Sequence, residues 1–218
     1  MANPIAAFGN YLADSLKVFL LPVSTIRNAA ERQLSFGSAF IVLILLAVVA
    51  GGLQLILSQM PGGLGEPASF VDVVSQTIAY IIFFTIALGL LFGLIVSFGG
   101  KARFTRLFAA KLSLASTVVG AFVIGLLGKL LIGLLFLGAQ DGVAGGIIVL
   151  GEQFGMMAIG LIAAFYTIIV ARFGGEISWP IAIVVTVVHF LLMLAIATAY
   201  GVILPDSNLL GIQPALQI

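Results

Sequence analysis

The chemistry open to this chain rests on a few polar side chains set in apolar sequence. Lys129 and Glu152 stand inside long runs that are otherwise almost free of charge. A charge at the centre of a bilayer costs about 2.5–3.5 kcal/mol on insertion scales, so each marks a partner or a function. The turn between their runs centres near residues 140 and 141, at equal distance from both. On antiparallel neighbouring helices equal offset means equal depth, so the two can meet as an ion pair. Gly125 and Gly133 flank Lys129 at i−4 and i+4, and Gly151 and Gly155 lie beside Glu152, which clears a path for close helix approach. Three readings stay open: the pair locks two helices together, it couples a proton or ion, or Lys129 reaches outward to the interface and no pair forms.

His189 falls near the middle of a further apolar run, where it either relays protons, binds a solute or bonds to a neighbouring helix. Gln54, Gln76 and Gln153 read the same way, as interhelical hydrogen-bonding groups or as ligands. Lys101, Arg103, Arg106 and Lys111 form a basic loop, a contact for anionic headgroups or an acidic partner, or simply a determinant of topology. Catalytic constellations are missing from the sequence. It has no G-x-S-x-G, no H-E-x-x-H and no G-x-x-x-x-G-K-[ST]. Ser178 and His189 are three helical turns apart, too far for a dyad on one helix. With no cysteine, thiolate chemistry and Cys-ligated metal are excluded, and one histidine cannot make a bis-His haem site. No enzyme, metal or cofactor is expected.

The elements that must carry these residues follow from composition. Of 218 residues, 62% are hydrophobic and 8% charged, against about 25% charged in a soluble domain. The net charge of +1 supplies no field for a polyanion, so nucleic acid is excluded as a partner. Five helix-length apolar runs cover residues 36–57, 71–98, 112–137, 143–171 and 179–204, each meeting the ~20 residues a spanning helix needs. The fold expected is an all-α integral membrane protein of five transmembrane helices, with a short outer tail over 205–218. Five spans put Lys17, Arg27, Arg32, the loop over 99–111 and Arg172 on one side, and Glu66, Asp141 and Asp206 on the other. The positive-inside rule then places the N-terminus in the cytoplasm and the C-terminus outside. Gly99 and Gly100 end the second span, while Ser178 and Pro180 open the fifth.

Residues 1–35 form a cytoplasmic segment with a helical pattern of their own. Ile5, Phe8, Leu12, Leu16 and Phe19 recur at helical spacing, with Asn10, Asp14 and Lys17 on the opposite face. This predicts an amphipathic helix that ends at Pro22 and lies either on the leaflet or on the protein's own loops.

The stretch GLIVSFGGKARFTRLFAAKLSLAS resembles the Gly-Gly-Lys-x-x-Phe region after the second span in bacterial members of the Yip-domain family, and FLLPVSTIRNAAERQLSFGSAF resembles their pattern ahead of the first helix. The resemblance implies a small five-span inner-membrane protein with no established reaction. The longer N-terminal domain and Asp-Leu-Tyr-Gly-Pro motif of the GTPase-binding eukaryotic relatives do not occur here, so that activity is not implied. The function expected is a non-enzymatic scaffold, assembly factor or accessory subunit in the bacterial inner membrane. Its partners would be the lipid bilayer and other membrane subunits or copies of itself. The alternative is a small-solute or ion/proton-coupled transporter or channel subunit using Lys129, Glu152 and His189.

Overall fold

The computed structural model describes residues 3–59, 69–135 and 162–203, with the backbone alone at 129, 132–135, 197 and 200–203. Among these residues there are seven helices and no strand. They are α1 (Pro4–Leu20), α2 (Pro22–Ala30), α3 (Phe36–Ser58), α4 (Phe70–Ser97), α5 (Phe104–Leu135), α6 (Ile162–Gly174) and α7 (Trp179–Ile203). Four are long and apolar enough to cross a membrane: α3, α4, α5 over Phe104–Gly128 and α7 over Trp179–Ile196. The run expected to make the fourth of five spans, 143–171, lies outside the described residues up to 161. Its described part belongs to α6.

Local signals set the helix ends. The Ser35 side chain accepts from the Ser38 N–H to start α3, and Ser69 with Asp72 forms a reciprocal capping box on α4. The end of α4 turns on Gly99, whose φ of 79° lies in the left-handed region that glycine reaches without strain. There the Gly99 and Gly100 N–H groups donate to the Val96 and Ile95 carbonyls.

The helix that follows begins eight positions earlier than the run expected from 112. Phe104 and Phe108 hold its first turns: Phe104 meets Phe36 and Phe92, and Phe108 meets Phe36 and Phe84. Aromatic burial on this scale outweighs the two basic residues of the segment, Arg106 and Lys111, and winds them into α5.

That helix is the axis of the molecule. α3 runs parallel to it, with Phe36 beside Phe104 at one end and Leu57 facing Gly125 at the other. α4 runs antiparallel to both, tied to α3 by a hydrogen bond between Gln54 and Gln76. From Leu107 to Leu112 every side chain of α5 is buried, so protein surrounds the helix there on all sides.

Much of that cover comes from α1 and α2. The face α1 packs on the protein is a different one from its aliphatic stripe. Ala7, Tyr11, Ser15 and Val18 face inward, whereas Ile5 is 71% and Leu20 82% exposed, with Leu12 and Leu16 also open. Small and hydrogen-bonding groups win the inner face because the approach is close. A Cβ on Gly120 would collide with the Ser15 carbonyl oxygen. The Tyr11 hydroxyl donates to the Ala109 carbonyl at 2.7 Å, and the Tyr166 hydroxyl to the Val18 carbonyl at 2.8 Å. Burial pushes the Tyr11 phenol well above its ordinary pKa, which keeps it a donor. Asp14, expected to face water, instead pairs with Arg32, and the Arg32 guanidinium also lies 4.3 Å from the centre of the Tyr11 ring.

Candidate functional site

Two helices that start at the same end of the bundle, α5 and α7, carry most of the buried polar residues among those described. The end of α4, the start of α5 and the start of α7 converge: a Cβ on Gly100 would meet Ile177 at 2.9 Å, and Arg106 pairs with Glu176. Lys111 lies seven residues into α5 and His189 ten residues into α7. At 1.5 Å per residue Lys111 and His189 sit about 10 and 15 Å from that end. α4 packs against both α5 and α7 and so links them.

Lys111 is 5% exposed. Its ammonium lies 5.5 Å from the centre of the Phe84 ring of α4 and has no carboxylate partner among the described residues. His189 is 6% exposed, and its Nδ1 has no hydrogen-bond partner. One turn before it on the same face is Thr186, buried, with its hydroxyl also unpartnered. On α5, Ser113 is fully buried and its hydroxyl has no partner either. Buried polar groups in native proteins are nearly always hydrogen-bonded, and each orphan forfeits about 1–3 kcal/mol. His189 and Thr186 thus leave two orphaned polar groups one turn apart on α7, and Ser113 leaves one on α5, two positions beyond Lys111. Chemically, α5 offers a buried cation at Lys111 and α7 an imidazole at His189 with the Thr186 hydroxyl one turn away, groups able to hold an anion or pass a proton. Among the described residues no three His, Asp or Glu side chains group as a metal site would require.

The residues singled out in the sequence scatter around this cluster. His189 belongs to it. Lys101 and Arg103 are exposed in the short link before α5, and Arg106 is half-buried. Lys111, read as the last residue of a basic loop, is instead in the helix and sealed from solvent and headgroups. Lys129 is on α5, with its backbone alone described, and Glu152 and Gln153 lie outside the described residues. One sequence signal bore on Lys111. Phe104, Leu107, Phe108 and Lys111 recur at i, i+3, i+4 and i+7, the spacing of one helical face. Thr186 and Ser113 gave none, because serine and threonine are ordinary residues of spanning helices.

No family model, curated protein or solved structure matches this chain.

Proposed function

We propose that this chain is a small-solute or ion/proton-coupled transporter or channel subunit of the bacterial inner membrane, with its working centre at Lys111 and His189. The reading includes five spans, a cytoplasmic N-terminus, an outer C-terminus and no covalent catalysis. The single observation that carries it is the Lys111 ammonium, buried in a membrane-length helix without a carboxylate among the described residues. An ionised group so placed is expensive. It is retained where it sheds its proton, binds an anion or lies along an ion path. His189, at similar depth, offers the second protonatable group that proton coupling needs. The Yip-family likeness of the second loop supports the five-span architecture and supplies no reaction.

Reconstitution tests the proposal. Purified protein in liposomes with an imposed pH gradient should dissipate it, alone or with a co-solute, and Lys111→Met and His189→Leu should each abolish the flux while the protein still inserts. Absence of any flux across a panel of anions would sink it. That outcome would favour the second reading, a scaffold, assembly factor or accessory subunit. The observation favouring that one is the aliphatic face of α7, where Ile183, Val187, Phe190, Leu191 and Leu194 are exposed, which would suit a partner helix as well as lipid.

A further inference from the structure

Two clefts at the charged end of the bundle meet along α2. The first is mainly aliphatic, lined by Leu20, Leu21 and Val23 together with Arg27 and Glu31. The second is charged, lined by Arg27, Glu31, Arg106, Arg172, Phe173 and Glu176. Arg27 and Glu31 line both, so two open grooves border each other, the first largely aliphatic with Ser24 and Asn28 also on its walls and the second charged. Their volumes, about 530 and 320 Å³, fall in the range of ligand clefts.

The charged cleft holds three arginines against two glutamates. Arg27 pairs with Glu31 and Arg106 with Glu176. Arg172 has no carboxylate partner among the described residues, and its guanidinium lies 5.5 Å from the centre of the Phe173 ring. The Nε atoms of both Arg106 and Arg172 are buried and unpartnered. Guanidinium groups present N–H donors in a planar fork that matches phosphate oxygens. Glu176 is held at φ 54°, the left-handed region a glutamate rarely enters. Such strain gathers where a side chain must be aimed, and this one carries the carboxylate that pairs with Arg106.

The depth of the cleft agrees with a headgroup. Trp179 is exposed and stacks edge-on to Phe173, a wall of the cleft, and tryptophan favours the headgroup level of a bilayer. Leu20 and Leu21 are among the most exposed large apolar residues of the chain, and they lie in the groove that borders the charged one.

We propose that these joined clefts bind one anionic phospholipid, its phosphate on Arg106 and Arg172 and its acyl chain along Leu20, Leu21 and Val23. A free phosphate would use the charged cleft and leave the aliphatic one idle. The site is separate from Lys111 and His189, and it does not rest on transport.

Delipidated protein in detergent, titrated separately with phosphatidylglycerol, phosphatidylcholine and inorganic phosphate under native mass spectrometry, tests it. Phosphatidylglycerol should be retained about tenfold better than phosphatidylcholine, which offers the same phosphate but brings a choline cation that the three arginines of the cleft repel. Inorganic phosphate at millimolar concentration should not displace it. Arg172→Gln should lose most of that preference, while Arg103→Gln, an exposed arginine outside the cleft, should keep it. Leu21→Ser, at an open position that tolerates substitution, should weaken retention of the lipid and still fold, so the test survives if Arg172→Gln does not fold. Equal retention of the two lipids, displacement by phosphate, or equal loss in the two arginine variants would overturn the proposal.

Discussion

The two halves of α5 share one backbone and live in different solvents. In the first half, Leu107 to Val119, almost every side chain is buried, and the sequence is small and partly polar: alanines, serines, a threonine and Lys111. In the second half Ile124, Leu127, Leu130 and Leu131 are open, Leu127 by 60%. The first half is covered by α1, α2, α3 and α4, so its contacts are protein. The second half carries the large aliphatic surface that lipid requires. A lysine therefore means different things at the two ends. Residues 111 and 129 are 18 positions apart, so their backbone positions lie about 27 Å apart along the helix. The sheath makes Lys111 a buried cation, whereas Lys129 must find its own partner or the interface.

The comparison can be broken most decisively at Lys129. If it pairs with Glu152, Lys129→Met or Glu152→Gln alone should destabilise by about 3–5 kcal/mol, and the double change should recover part of the loss. Thermal unfolding in detergent reads this, and additive losses would remove the pair. Next in size is Gly120, where α1 touches α5. Gly120→Leu should lower stability by about 3 kcal/mol, because the side chain must force the helices apart at Ser15. Gly128→Leu, where a Cβ meets nothing within 4 Å, should change stability by less than about 0.5 kcal/mol. Equal effects at the two glycines would mean that the halves do not differ in packing.

Lys111→Met has the opposite sign. Replacing an unpaired buried ammonium with an apolar side chain of similar length should stabilise by about 2 kcal/mol, seen as a rise in Tm, while transport is lost. A fall in Tm would show that Lys111 has a structural partner. A smaller loss is expected at Tyr11. Tyr11→Phe leaves the ring and removes the bond to the Ala109 carbonyl, for a loss of about 1 kcal/mol. No loss would mean that α1 is held by its ring and by Asp14–Arg32 rather than by that bond.

Much of this was legible in the residues. The apolar runs announced spanning helices, since transfer from water to lipid depends on local composition alone. The Gly99 turn was within reach of local rules, and Gln54 and Gln76 were legible as interhelical groups, but their pairing with each other was not. His189 stood out as the one imidazole in an apolar run.

What only the tertiary structure decided is who covers whom. α1 shows an aliphatic stripe in sequence, yet it buries Ala7, Tyr11 and Ser15, because contact with Gly120 rewards small groups that approach closely, and lipid can serve the leucines as well as protein does. Lys111 became a buried cation because α1, α2, α3 and α4 pack around α5, a fact residing in residues as distant as Phe84. Arg106 and Glu176 meet across 70 positions of chain. Hydropathy is a property of each segment against its solvent. Burial of a charge depends on neighbours that arrive from elsewhere in the chain, and no local pattern records their arrival.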